Sequence, residues 1–208
     1  MFIAFEGIDG SGKSTQVKLL SQQLTDLGYK VYTTFEPTDG PIGTMIRNIM
    51  KGKMKADHRT IAGLFVADRL DHLLNEENGI VKKLKEGYTV ITDRYYFSSY
   101  AYHGTHMDMG WVINANALSA EILRPDANIF IDVSPETSME RLKNRSTVEL
   151  YETLENLKNV RRKYYEAFRH LSHEEKVLVT DGARAAEEVA DEIWKQVDAM
   201  LKVQRRDV

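Results

Sequence analysis

Phe2-Ile3-Ala4-Phe5-Glu6-Gly7-Ile8-Asp9-Gly10-Ser11-Gly12-Lys13-Ser14-Thr15 begins as a short apolar run and passes through three glycines into a lysine and two hydroxyl residues. Residues 7–14 fit the spacing G-x-x-x-x-G-K-[ST], the pattern of a phosphate-binding loop when a strand precedes it and a helix follows. Both conditions hold in the sequence. Residues 2–5 read as a buried strand, and Val17, Leu20, Leu24 and Leu27 recur on one face of a helix that stops at Gly28. Glycines let backbone N–H groups converge on an anion, and the helix N-terminus adds partial positive charge. Gly7, Gly10, Ser11, Gly12 and Thr15 then form the cradle, with Lys13 on the β- and γ-phosphates of ATP and Ser14 on Mg²⁺. A turn that merely starts a helix has no need of the Lys-Ser pair.

Outward from this loop, apolar runs alternate with stretches of helical period. Strands are expected over residues 31–35, 89–92, 129–133 and 177–180, and helices over 42–50, 59–85, 111–123, 136–144, 150–171 and 185–201. In the last helix Val189, Ile193, Val197 and Met200 form one stripe. Alternation of this kind predicts an α/β fold with a parallel sheet covered on both faces, because each crossover helix returns the chain to the same sheet end. Ligands then gather beyond the carboxyl ends of the strands. The prolines, Pro37, Pro41, Pro125 and Pro135, all fall in loop-like positions, and no linker, repeat or low-complexity tract interrupts the 208 residues. One domain is the economical reading.

Composition narrows the class. Apolar residues make up 42% and charged residues 28%, ordinary globular usage. With 28 Lys+Arg against 31 Asp+Glu, the net charge of −3 advertises neither a nucleic-acid nor a membrane partner. The absence of cysteine removes disulfides, thiolate metal sites and a cysteine nucleophile. No apolar run approaches the ~18 residues of a membrane span, so a soluble, cytoplasmic protein is expected. No Asn-Lys-x-Asp string is present to read guanine, which favours a small phosphotransferase over a nucleotide-gated switch.

A second polar cluster ends the strand at 89–92, where Thr92-Asp93-Arg94-Tyr95 places a carboxylate and a guanidinium at the sheet's carboxyl edge. Asp93 could hold Mg²⁺ directly or through water, and Arg94 could clamp a second phosphate with its planar fork. A strand-end salt bridge is the alternative for either residue.

These residues carry a family resemblance. Ile91-Thr92-Asp93-Arg94-Tyr95-Tyr96-Phe97-Ser98-Ser99-Tyr100-Ala101-Tyr102 resembles the signature of the thymidylate kinases, which transfer the γ-phosphoryl group of ATP to dTMP. The opening Phe2-x-x-Phe5-Glu6-Gly7-x-Asp9-Gly10-x-Gly12-Lys13-Ser14-Thr15 is similar to that family's start. The likeness continues through Glu36-Pro37-Thr38-Asp39-Gly40-Pro41-Ile42-Gly43, Leu64-Phe65-Val66-Ala67-Asp68-Arg69, Arg124-Pro125-Asp126, Ile131-Asp132-Val133-Ser134-Pro135-Glu136 and Asp181-Gly182. It implies a P-loop NTPase-type three-layer sandwich, a five-stranded parallel sheet flanked by helices, with a short lid at about 141–149.

Further roles follow from the resemblance. It puts Phe65 on the thymine ring, Arg69 on a base carbonyl, Ser99 near the base N3 edge and Tyr102 against the sugar C2′, where a ring excludes a ribose hydroxyl. Asp9 falls near the acceptor 3′-hydroxyl and the metal, and Glu36, Pro37 and Ser98 line the acceptor site. Read from the residues alone, Phe65 could be core, and Ser98 and Ser99 could cap a following helix. Gly10 stands where some members carry an arginine in the loop, so catalytic cations are expected from the lid, Arg145 on the transferring phosphate and Arg141 on the phosphates or adenine. A solvated helix end is the other reading of those two. The chain departs from the family pattern at Phe35, where many members carry arginine, with Arg47 a possible substitute, and at His103, where glutamine is common. The Asp181-Gly182 turn is similar to the adenine-side loop, and the resemblance implies a homodimer with dTMP and ATP as its small-molecule substrates. Two alternatives stay open, another small P-loop deoxynucleotide or deoxynucleoside kinase and an ATP-binding switch.

Overall fold

The computed structural model describes residues 1–143 and 150–204, the side chain of Gln204 excepted. Five strands, β1 (Phe2–Glu6), β2 (Val31–Phe35), β3 (Thr89–Asp93), β4 (Ala127–Asp132) and β5 (Val177–Asp181), form one sheet in the order β2-β3-β1-β4-β5. Every pairing is parallel, with Phe5 opposite Asp93 and Ile129, so the tips of β1, β3 and β4 end side by side. Nine helices among the described residues connect them: α1 (Lys13–Asp26), α2 (Pro41–Met50), α3 (His58–Leu74), α4 (Ile80–Lys85), α5 (Tyr96–His103), α6 (Met109–Ile122), α7 (Pro135–Leu142), α8 (Leu154–His170) and α9 (Ala186–Gln204).

Strand side chains alternate between two cores because successive Cβ atoms point to opposite faces. Ile3, Phe5, Ile91, Ile129 and Ile131 pack beneath α1 and α9, meeting Leu20, Leu24, Val189, Ile193 and Val197. Phe2, Ala4, Val90 and Phe130 face the opposite layer, with Tyr96 and Phe97 of α5 and Leu157, Val160 and Tyr164 of α8. Helices, sheet and helices make the expected three layers. No helix among the described residues is long and apolar enough to cross a membrane.

The expectations fail in instructive places. The helix anticipated over 59–85 is broken: Asn75 leaves helical geometry at φ −53°, ψ 129°, and its side-chain oxygen accepts from the backbone N–H of Glu77 and Asn78. This is an asparagine turn, which competes locally with helix. α5 carries no helical stripe because all eight of its residues are buried, so periodicity has nothing to detect. α8 starts at Leu154 instead of 150, set by Thr153, whose side chain accepts from Asn156 N–H as an N-cap. Leu27 lies past the end of α1 and is 57% exposed, and Leu201 in place of Met200 completes the buried stripe of α9. α7 closes at Leu142, so Arg141 belongs to a helix, while the rest of the anticipated lid, residues 144–149 including Arg145, lies outside the described residues.

Candidate active site

The phosphate loop leaves β1 at Gly7, whose φ is +148° and where an added Cβ would lie 2.7 Å from both Ile131 O and Ser11 Oγ. Only glycine fits this crowding and this backbone region. α1 then starts at Lys13 with no acidic residue in its first turn, so nothing on the helix itself neutralises its positive end. The Lys13 ammonium donates to Gly7 O and Ile8 O, both at 3.1 Å. Burial, and then the Arg94 charge, push it down to about 8, against the opposing pull of Asp93, Asp9 and Glu6. Lys13, Ser14, Thr15, Gly10 and Gly12 line a cleft of about 660 Å³ at the strand tips.

Ser14 Oγ donates to Asp93 Oδ2 at 2.6 Å, and among the described residues no ion pair is found for Asp93. A hydroxyl and a carboxylate meeting beside a phosphate cradle are hard oxygen ligands of the kind Mg²⁺ takes, so the residues present fit that ion.

Arg94 occupies the left-handed region at φ +75°, a conformation that costs a non-glycine residue of order 1–3 kcal/mol. Its N–H bonds to Phe5 O at 2.9 Å, continuing the β1 pairing, and Thr92 Oγ1 donates to its carbonyl. The turn swings the guanidinium over the loop, where Nη1 donates to Gly7 O and Ser98 Oγ and Nη2 to Asp9 Oδ1 and the Tyr102 hydroxyl. Tyr102 in turn donates to Asp9 Oδ2 at 2.7 Å. Burial raises the Asp9 carboxyl, but the charges of Arg94 and Lys13 and the Tyr102 hydroxyl carry it below its ordinary value.

Beyond this cluster lies a second cavity of about 190 Å³, lined by Phe65, Ser99, Tyr102, His103, Pro37 and Arg47 among others. The Glu36-Pro37 peptide on its rim is cis. Phe65 and His103 set their rings 5.1 Å apart at 55°. Arg69, expected to donate to a base carbonyl, is 1% exposed with all five donors engaged: Nε and Nη2 on Glu36 Oε2, Nη2 on Tyr95 O, and Nη1 on Ser99 Oγ and Asn116 Oδ1. Burial would raise Glu36, yet Arg69 and His72 hold it below the usual carboxylate range. A base carbonyl reaching this arginine would share the Nη1 donors now on Ser99 and Asn116.

Ser98 and Ser99 lie inside α5 and cap nothing, since the N-cap residue is Tyr95. Ser98 Oγ donates to Glu6 Oε2 at 2.6 Å. Tyr164 reaches the same oxygen from α8 at 2.9 Å, and burial lifts the Glu6 carboxyl upward despite these bonds. Arg141 bridges the loop and the Asp181-Gly182 turn, donating to Ser11 O at 3.2 Å and Gly182 O at 2.9 Å. A Cβ at Gly182 would lie 2.4 Å from Ile131 Cγ2, so the turn closes only with glycine. Arg47 donates to Pro37 O at 2.8 Å and pairs with Asp39 at the cavity rim, while Phe35 is 44% exposed and borders both cavities. Sequence reasoning missed Tyr164, Asn116, His72 and Tyr151, which join the site from distant helices and loops and carry no local pattern.

A sequence model described as Thymidylate kinase matches residues 5–193. The chain belongs to the thymidylate kinase family. As a member of that family it is an enzyme that phosphorylates dTMP. A probable thymidylate kinase of Caldivirga maquilingensis is 37% identical over 206 residues, covering 97% of this chain and 95% of that protein. A thymidylate kinase of Caldicellulosiruptor saccharolyticus is 37% identical over 205 residues, covering 97% of each. A probable thymidylate kinase of Pyrococcus horikoshii is 40% identical over 170 residues, 78% of this chain and 80% of its own. The thymidylate kinase match takes in the phosphate loop from Phe5, the Asp93-Arg94 strand tip and the Asp181-Gly182 turn in one span.

Proposed function

We propose that ATP lies along the phosphate loop, dTMP fills the smaller cavity, and the two meet head to tail at Asp9 and Arg94. The observation that carries this reading is that both cavities share Asp9, Arg94 and Phe35 as a common wall. The dTMP phosphate then takes the Arg94 fork, and an anionic phosphate oxygen attacks the γ-phosphorus in line, yielding dTDP and ADP. No strong general base is required, because the attacking oxygen is already charged. Lys13 and Arg141 stand over the transferring charge, where fixed cations supply most of the rate in phosphoryl transfer. Arg145 is assigned to the same charge. Ser14 and Asp93 would hold Mg²⁺, which would supply positive charge against the negative charge of the phosphates.

Tyr102 donates to Asp9 and lines the cavity, and we assign its ring the discrimination against a ribose 2′-hydroxyl. Phe65 offers the base its face. We read the chain as one nucleoside-monophosphate-kinase-like domain acting in the cytoplasm. A homodimer is supported by Trp111 and Leu118, 47% and 53% exposed and seven residues apart on one face of α6. The test is ADP release in a coupled assay with and without dTMP, alongside dUMP, dCMP and thymidine. dTMP-dependent release with the highest kcat/KM for dTMP is expected, and release indifferent to dTMP would overturn the assignment of the second cavity.

A further inference from the structure

Two imidazoles lie face to face against one ring of the acceptor cavity. His58, the first residue of α3, and His106, in the turn after α5, set their planes 11° apart with centroids 3.7 Å from each other. His106 is fixed in that turn by its own N–H, which donates to His103 O at 2.9 Å. Neither His58 nor His106 lines the cavity, but Tyr151 does. The Tyr151 ring lies 5.6 Å from His106 and 6.1 Å from His58, and its hydroxyl shares a 3.3 Å hydrogen bond with His58 Nδ1. Its backbone is anchored separately: Leu150 N–H donates to Met50 O at 3.1 Å, and Asn156 Nδ2 donates to Tyr151 O at 2.9 Å. The direction of the tyrosine side chain is therefore left to the rings beside it.

A stack of this kind holds while at least one ring is neutral, whereas two imidazolium ions at this separation repel. Histidine is the side chain that gains its proton just below neutral pH. Burial first, and then His58, hold His106 below its ordinary value, so the second charge enters the stack only in mild acid. The other titratable groups around the pair do little to absorb it. Asp57 is the acid whose charge meets His58, and Arg59 already donates to both of its oxygens. Asp108 accepts from Trp111 N–H at the start of α6, and neither aspartate pairs with an imidazole among the described residues. Burial keeps His103 neutral, at about 3, and pushes the Tyr151 hydroxyl up to about 12. Glu152, one residue beyond Tyr151, is itself buried.

We propose that His58 and His106 are a positioning pair for Tyr151: their stack holds the tyrosine ring in the wall of the acceptor cavity, and charging both imidazoles loosens it. This rests on the dTMP assignment of that cavity. The sign follows from the stack. Tyr151 is held above the pH at which His106 takes up its proton, and its hold on the acceptor is lost as pH falls below it.

The test is a pH series on the full chain at saturating ATP, from about pH 7.5 to about pH 5.5. His106→Phe keeps a flat ring in the stack and removes its charge. His58→Phe does the same from the other side and also loses the bond to Tyr151. The dTMP phosphate takes up a proton of its own near pH 6, which weakens binding in every variant, so the readout is the ratio of wild-type to variant KM for dTMP. That ratio should rise about three- to tenfold from the neutral to the acid end for both variants, while the kcat ratio stays level. His58→Phe should in addition raise KM about threefold at pH 7.5 through the lost hydrogen bond. In the wild-type chain, which meets any folding failure of the variants, ¹³C resonances of the Tyr151 ring should move in step with proton uptake by His106. A KM ratio that stays flat with pH for both variants, or Tyr151 resonances that ignore the His106 titration, overturns the positioning role and leaves the acceptor site standing. Failure of the wild-type chain to take up dTMP at pH 7.5 overturns both.

Discussion

The two halves of the site are built from different materials. On the side proposed for the donor, residues 7–15 are contiguous and lead into the mouth of α1, where backbone amides would do most of the binding. On the acceptor side, Glu36, Arg69, Ser99 and Asn116 come from four separate segments and neutralise one another inside the protein. A backbone cradle needs few side chains and tolerates change around it. A buried charged network has no spare partner, so loss of one member strands the rest.

The most severe way to test this contrast is Arg69→Ala. It leaves Glu36, 1% exposed, without its guanidinium, and breaking a buried pair this way costs about 3–5 kcal/mol. Urea unfolding should report that loss, whereas Ser14→Ala at the exposed start of α1 should leave the midpoint nearly unmoved; equal midpoints for both variants would erase the distinction. Next in size, Lys13→Ala and Arg94→Ala should each lower turnover by roughly 10²–10³-fold, since each removes a positioned cation from the reacting phosphates. Near-normal kcat in either variant takes that residue out of the chemistry.

Phe65→Ala should weaken dTMP by about 1–3 kcal/mol, the range for losing a stacked aromatic, while the KM for ATP stays put. Parallel rises in both constants would mean that the ring supports the fold more than the base. The gentlest probe is pH. With Lys13 lowered to about 8, its ammonium is intact below that value and lost above it, so kcat/KM for ATP should fall as pH climbs through about 8. Arg69 and Arg94, both raised above the ordinary arginine value, keep their charge throughout, so dTMP affinity should not follow that fall. A matching decline in dTMP binding would tie the two halves together more closely than the structure does.

The same contrast explains what was legible beforehand. Gly7 to Thr15 could be read because backbone geometry, glycine placement and helix start are local properties. Asp93 and Arg94 could be placed because a strand's last residues always sit at the sheet's edge. α5 was invisible to periodicity because it is buried on every side, and the break at Asn75 was hidden inside a long helical pattern. Arg69 read as a free donor, yet its partners lie 33 and 47 residues away at Glu36 and Asn116.

Local chemistry in the chain was therefore enough to specify an α/β nucleotide fold, a phosphate cradle and the residue types gathered at the sheet edge. Which groups are spent on one another and which remain free was settled only by tertiary packing: Arg69 and Glu36 are paired, while His103 keeps both nitrogens unmet among the described residues. The reason is range. Backbone conformation and helix ends depend on neighbours a few residues away, whereas desolvation and hydrogen-bond satisfaction depend on whatever distant segment the fold brings alongside.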